Sequence, residues 1–422
     1  MMNVAIIGGG AAGFFLAVNL KQMAPQARIT IFEKSRKVLA KVAVSGGGRC
    51  NLTNSFREVT DLKQVYPRGD KLLKRLFKVF SPQMAYEWFE AHGVRLVTQE
   101  DQCVFPQSQD AQSVIFCLTR LARERHVEVL TGRGVDALRP EKNTTGSNEP
   151  EATIGYRLVF QDGCCSESCY DYVAVTTGGS PRAEGLRYLA DLGHQIASPV
   201  PSLFTFNVSQ CGITALMGTV VEQVQASIPA TNFKAVGPLL VTHWGMSGPA
   251  VLKLSSHGAR YIAEHDYRFT VLLNWVDRTN TEAVAEEIRK SMRENGQKQL
   301  ASVRLYHLPA RLWSFLLERS GIAVDKRWAE LSKKEINRLV NTLCSDAYAV
   351  DGKGAFRDEF VTCGGISLDS VDKQTLESKV CPGLFFAGEV LDIDGVTGGF
   401  NFQAAWTTAF VCAKSIAKKM AG

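Results

Sequence analysis

Six residues near the amino terminus, Gly8-Gly9-Gly10-Ala11-Ala12-Gly13, separate the apolar run Val4-Ala5-Ile6-Ile7 from a second apolar run over 14–20. Glu33 stands twenty positions after Gly13, at the end of the β-branched run Ile29-Thr30-Ile31-Phe32. The order is strand, tight turn, helix, strand and terminal acid, the setting in which G-x-G-x-x-G grips a dinucleotide. Gly8 makes the turn, Gly10 lets backbone approach a pyrophosphate, and Gly13 lets helix and strand pack closely. Ala11, Ala12 and Gly13 open a helix whose unpaired N–H groups and positive dipole end suit phosphate. Glu33 is placed to accept from ribose hydroxyls, and its charge opposes a 2′-phosphate.

Three later motifs decide which dinucleotide. Ser45-Gly46-Gly47-Gly48-Arg49-Cys50-Asn51-Leu52-Thr53-Asn54 brings three glycines together with Ser, Arg and Asn. Such a loop lets backbone pass close to a planar or anionic ligand, so Ser45, Gly47, Arg49 and Asn51 are read as wrapping the cofactor. Val175-Thr176-Thr177-Gly178-Gly179 is a buried strand running into a glycine turn, which makes Thr177 and Gly178 candidates. Phe386-Ala387-Gly388-Glu389 is a late strand ending in glycine and acid. Asp392-Ile393-Asp394-Gly395-Val396-Thr397-Gly398-Gly399 then leads into a last helix. A flavin adenine dinucleotide needs a late strand with an acid near its ribitol and a helix N-terminus near its pyrimidine edge, where the dipole favours negative charge. Both features are present, and a second complete G-x-G-x-x-G for NAD(P)H is not. FAD is therefore expected as the held cofactor, with NAD(P)H only as a transient donor.

Candidates for proton transfer are few. His243 stands in Thr242-His243-Trp244-Gly245, before the helix start at Ser247-Gly248-Pro249, where loops reach active sites. The alternative is a histidine that only braces its turn. Arg49 either meets an anion or the flavin's charge, or braces the glycine loop. Cys50 and Cys363 lie beside glycine turns without a C-x-x-C, so buried structural thiols are expected rather than disulfide chemistry.

The composition suits a soluble globular protein with a core to share among two or three units: 422 residues, 45% hydrophobic and 21% charged. A net charge of +6 spread over 48 basic and 42 acidic residues, with no dense basic run, weighs against nucleic acid. Eleven cysteines are an odd number and do not make a disulfide framework. The Cys164-Cys165-x-x-x-Cys169 cluster lacks a second pair at zinc spacing, so no metal is expected. The apolar amino terminus is broken by glycines and lacks a basic leader. A cytoplasmic location without a membrane span is expected.

These residues must be positioned by an α/β unit made from both ends of the chain. Periodicity predicts helices over 71–92, 111–125, 282–294, 309–319 and 332–344, and a hairpin or meander from 156–160 and 170–175. Residues 143–149 form the expected exposed loop. Residues 1–195 and 355–422 are assigned to the cofactor-binding domain. A β-rich inserted domain is assigned to 196–278 and 346–354, and a helical subdomain to 279–345.

The opening hairpin, the 45–54 loop, Thr242-His-Trp-Gly-Met-Ser-Gly-Pro249 and Gly388-Glu-Val-Leu-Asp-Ile-Asp-Gly-Val-Thr-Gly-Gly-Phe-Asn401 together resemble the bacterial HI0933-like flavoproteins, also known as aminoacetone oxidase-type FAD-binding enzymes. The resemblance spans essentially the whole chain. It implies a Rossmann-like α/β FAD domain of the two-dinucleotide-binding type, an inserted β-barrel-like domain and a small helical subdomain. It also implies that Glu33 and Lys34 hold the ADP half and that Val135 meets the adenine through its backbone. Gly388, Glu389, Gly399, Asn401 and Phe402 then belong to the ribitol and flavin end, and Asp394 of the same motif is a further cofactor-binding candidate. Ser180-Pro181-Arg182-Ala183-Glu184-Gly185 is shorter than the corresponding segment of relatives, where a Ser-Tyr-Pro and a Gly-Asp-Gly element are usual.

The function expected from these features is FAD-dependent oxidation or reduction of a small or hydrophobic metabolite. Amine oxidation by oxygen is one form, and NAD(P)H-dependent reduction of a steroid-like enone is another. A flavoprotein that modifies or binds RNA is the alternative from a different class, and it predicts a basic surface and salt-dependent binding. The oligomeric state is left open.

Overall fold

A computed structural model describes residues 2–142, 154–180, 182–209, 212–354 and 361–422. Pro181, Cys211 and the 143–149 loop lie outside them. The chain divides into two compact units, 1–200 with 361–422, and 201–360.

The first unit is built on a five-stranded parallel sheet. Its order is Leu384–Phe386, Tyr172–Val175, Asn3–Ile7, Arg28–Glu33 and Glu128–Thr131. The first, central and last strands of the chain are thus neighbours in one sheet. Val4, Ile6, Val173, Val175 and Leu384 through Phe386 are fully shielded from solvent, as continuous apolar strands covered on both faces must be. The expected meander holds in part. Ile154–Phe160 pairs antiparallel with Val135–Lys142 and makes antiparallel bridges Val159–Cys165 and Tyr156–Tyr170, whereas Tyr172–Val175 leaves it to run parallel to Asn3–Ile7.

The helix Ala11–Met23 packs along the C-terminal helix Phe400–Ala421, with the Phe15 and Trp406 rings 5.1 Å apart. Phe80, Trp88 and Phe89 close around Phe15 at 4.5 to 5.9 Å. The predicted helix over 71–92 is two helices, Asp70–Leu76 and Pro82–Ala91. Pro82 lacks the N–H that a continuing helix needs, and Ser81 caps the new start by accepting from Met84 N at 3.2 Å.

The second unit contains an antiparallel seven-stranded sheet ordered Asp346–Val350, Phe269–Asn274, Val220–Ser227, Lys234–Val241, Gly245–Ser247, Phe206–Asn207 and Gly352–Lys353. Its two edges are consecutive in the chain, with only Asp351 between them, so the sheet curls round on itself. The helices Thr281–Asn295, Ala310–Arg319 and Lys333–Cys344 contribute Ile288, Leu316 and Leu339 to the same core as Val271 and Leu273 of the sheet. Among the described residues no helix is long and apolar enough to cross a membrane.

Candidate dinucleotide-binding site

Each glycine of the opening turn meets a different surrounding. Gly8 has a φ of +114°, and a Cβ there would lie 2.5 Å from the Thr176 carbonyl oxygen. A Cβ on Gly13 would lie 2.0 Å from the Gly8 carbonyl oxygen. These two glycines allow backbone to pack on backbone. Gly10, the N-cap of the first helix, is the opposite case, because an added Cβ would meet nothing within 4 Å. The helix that follows starts with the first-turn N–H groups of Ala11, Ala12 and Gly13, which have no acceptor inside the helix. A pyrophosphate needs that combination of room, donors and dipole.

The strand ends surround this turn. Thr176 donates its hydroxyl to Gly8 O at 2.9 Å and locks the end of the Tyr172–Val175 strand to the turn. Glu33 accepts from Gly9 N at 2.7 Å and from Ser35 N at 2.8 Å. The backbone N–H groups of Gly132 and Arg133 donate to Ser35 O and Glu33 O, which brings the chain leading into Val135 to the acid's side of the turn. Lys34 is exposed beside it. Gly388 closes the other flank, since a Cβ at its φ of +78° would be 2.9 Å from Ala12 Cβ. Glu389 is held by Lys41 Nζ at 2.9 Å and by Thr362 N at 2.8 Å. Exposed Thr177 leads into Gly178, also in the left-handed region at φ +77°.

The C-terminal helix hooks the remaining motifs into place. Thr408 accepts from Gly388 N at 2.9 Å, Trp406 donates to Leu52 O at 2.9 Å, and Thr53 donates to Gln403 at 2.6 Å. At the helix start the Asn51 side-chain oxygen accepts from Gly399 N at 3.2 Å. Nothing lies within 4 Å of a Cβ built on Gly47, so the glycine loop also leaves room. Phe402 stacks on Trp406 at 5.7 Å and remains half-exposed in the first turn.

Four expected site residues have partners that define structural work. Asp394 is fully buried in an ion pair with Arg68, both of whose ends are nearly sealed from water. Asn401 exchanges hydrogen bonds with Gly395 N and O at 2.8 Å and shapes the 395–401 turn. Ser45 donates to Val42 O at 2.9 Å, at the end of the short helix before Gly46 and Gly47 turn left-handed. Arg49 donates to Gly46 O at 3.1 Å and lies 4.3 Å over the Phe105 ring. Burial pushes the Cys50 thiol up to about 12, which keeps it protonated and inert. His243 belongs to the second unit, exposed in a turn where Thr242 N donates to Gly245 O at 2.9 Å, with its ring edge-on to Trp244 at 4.4 Å.

Arg68, Thr176, Gln403 and Thr408 were not singled out by sequence reasoning. Arg68 precedes an ordinary Gly-Asp turn, and the three polar residues sit in otherwise apolar runs. Only a buried partner distant in sequence reveals their roles.

A parallel sheet whose strand ends gather two glycine turns and two helix N-termini defines the class, a Rossmann-like dinucleotide-binding protein. The chain belongs to the HI0933-like family, whose Rossmann-domain model matches residues 2–415. It is 28% identical over 424 residues to the ribosomal RNA dihydrouridine synthase of Haemophilus influenzae, covering 98% of each chain. It is 27% identical to the Escherichia coli protein of that name, again over 98% of each. It is also 25% identical to the 3-dehydro-bile acid delta(4,6)-reductase of Clostridium scindens, covering 99% of this chain and 100% of that one. The fold is shared with 3-ketosteroid delta1-dehydrogenase of Sterolibacterium denitrificans, at a TM-score of 0.52 and 13% identity over 99% of this chain and 100% of that one. Oxidoreductases thus surround the chain in sequence and in fold.

Proposed function

We propose that the protein is an FAD-dependent reductase of carbon–carbon double bonds conjugated to a carbonyl, and that its substrate is uridine in ribosomal RNA. The open space at Gly10 and Gly47, flanked by the N-termini of the Ala11–Met23 and Phe400–Ala421 helices, carries the cofactor reading. In that reading the N–H groups of residues 11–13 hold the pyrophosphate, Glu33 and Lys34 the adenosine ribose, and Val135 the adenine. Thr177, Gly178, Gly388 and Glu389 lie along the ribitol, and Gly399 and Phe402 near the flavin. The first-turn N–H groups of the last helix stabilise negative charge at the flavin's pyrimidine edge. When bound, FAD supplies the two-electron transfer.

The substrate class rests on chemistry common to the relatives. Making dihydrouridine saturates C5=C6 of uracil, which is conjugated to the C4 carbonyl. A delta(4,6)-reductase acting on a 3-dehydro bile acid saturates bonds conjugated to the C3 carbonyl. Each bond saturated takes a hydride at an electrophilic carbon of the conjugated system, β to the carbonyl in uracil and β or δ in a dienone, and a proton at the neighbouring carbon nearer the carbonyl. The chain's residues then have two tasks: excluding water around the hydride's path and delivering one proton. The two synthases, at 28% and 27% identity, favour uridine over the bile acid, which remains the second reading.

The test is to incubate the purified protein with NADH or NADPH and unmodified ribosomal RNA transcripts, then digest to nucleosides for mass spectrometry. A uridine heavier by two hydrogens is expected. A protein that leaves RNA unchanged but saturates a 3-oxo-4,6-diene steroid would replace uridine by the second reading. Oxidation of amines with release of hydrogen peroxide, and no saturation of either substrate, would refute the reductase assignment.

A further inference from the structure

The Asp70–Leu76 helix and the turn after it carry Lys71, Lys74, Arg75 and Lys78 at spacings of three, four and seven. That spacing puts all four on one stripe, opposite the buried Leu72, Leu73 and Leu76. All four are exposed, and among the described residues none has a carboxylate within ion-pair distance. The Thr281–Asn295 helix shows the usual alternative, where Arg289, Lys290 and Arg293 pair with Glu282, Glu286 and Glu294. Acids near the basic stripe are engaged locally or sit at its end. Asp61 caps its own turn, Glu58 takes the Gln102 amide, and Asp70 stands at the helix N-terminus. Lys71 with Arg75, and Lys74 with Lys78, are like charges four residues apart, which weakens the helix unless an outside anion offsets them.

The stripe is fixed to the proposed flavin end of the site. Arg68 pairs with Asp394 just before the helix, and a Cβ on Gly69 would lie 2.7 Å from Ile393. Phe77 packs on Phe56 and Tyr66, at 5.5 and 6.2 Å. Tyr66 donates to the carbonyl of Phe400, the first residue of the C-terminal helix, at 2.8 Å. Four uncompensated cations therefore ride on the segment that shapes the 393–400 turn.

We propose that Lys71, Lys74, Arg75 and Lys78 form the phosphate-binding surface that seats RNA beside the reacting base. This rests on the reading of uridine in RNA as substrate. The surface recognises backbone and not sequence, because lysine and arginine meeting phosphate position a nucleic acid without reading it. Each phosphate contact contributes about 0.7 to 0.9 to the slope of log K against log salt.

The experiment compares the FAD-loaded wild-type chain with K71Q/K74Q/R75Q/K78Q by filter binding to an unmodified ribosomal RNA transcript across a salt series. The proposal expects the slope to become shallower by about 3 in the variant, and affinity at low salt to fall at least tenfold. A control variant, K333Q/K334Q, should bind like wild type, and flavin content should be equal in all three proteins. An unchanged slope in the four-residue variant, an equal loss in the control, or a wild type that does not bind the transcript would overturn the proposal. So would a variant that loses only its attachment to phosphatidylglycerol vesicles. RNA binding that depends on the stripe, without dihydrouridine formation, would uphold the surface and refute the chemistry.

Discussion

Gly13→Ala is expected to give a destabilised protein without flavin, whereas Gly10→Ala is expected to fold normally and hold flavin poorly. The two positions belong to one motif but fail for different reasons. An added methyl at Gly13 would sit 2.0 Å from the Gly8 carbonyl oxygen and 2.8 Å from the Thr176 hydroxyl. Neither can retreat, because Gly8 N is bonded to Phe32 O at 2.8 Å and Thr176 is tied to both Ile7 and Gly8. Overpacking of this kind costs about 1–3 kcal/mol or more, and here it also displaces the phosphate-facing turn. At Gly10, with an ordinary φ of −90°, the methyl enters empty space, so the melting temperature should stay near wild type. If that space is where pyrophosphate lies, FAD affinity should drop at least tenfold, about 1.4 kcal/mol. Thermal melts with flavin quantitation separate the two outcomes. A Gly10→Ala protein with full flavin content would move the phosphate elsewhere.

The second large effect is expected at the buried ion pair. Asp394→Ala leaves the Arg68 guanidinium, whose side chain is only 11% exposed, without its carboxylate. Breaking a buried pair from one side costs about 3–5 kcal/mol, and for a unit of this size that lowers the melting temperature by about 10 °C. Removing both charges, as R68M/D394L, should recover much of the loss because no charge is left to desolvate. Flavin content gives the second readout. If Asp394 is a structural partner, the double variant regains stability and flavin together. Regained stability with flavin still absent would return Asp394 to the cofactor.

The fold was legible wherever chemistry demanded a local pattern. Gly8 and Gly13 are required by backbone contacts that a sequence motif encodes directly, and Leu384–Phe386 could be read as a buried strand from its composition. Apolar continuity marks 172–175 as a strand but does not say which neighbour it chooses, so the run from Tyr170 divides between an antiparallel bridge to Tyr156 and the parallel sheet. The helix over 71–92 was drawn through Pro82 because apolar residues keep their period across the break. Site residues divided in the same way. Glycines and strand-end acids announce themselves by position. Arg68 with Asp394, Thr53 with Gln403 and Gly388 with Thr408 are pairs separated by tens to hundreds of residues, visible only after folding. Net charge is uninformative about arrangement for a related reason. A total of +6 averages paired surfaces such as the Thr281–Asn295 helix with an unpaired stripe such as residues 71–78, and only the arrangement distinguishes them.

The central claim is that the turns at 8–13 and 388–401, distant in sequence, together hold one FAD. Its most direct test is to purify the full chain, denature it, and identify and count the released flavin by chromatography and absorbance. One FAD per chain is the expected result, with none in Gly13→Ala. A colourless protein that takes up no FAD on reconstitution, or one that releases only FMN, would contradict the account.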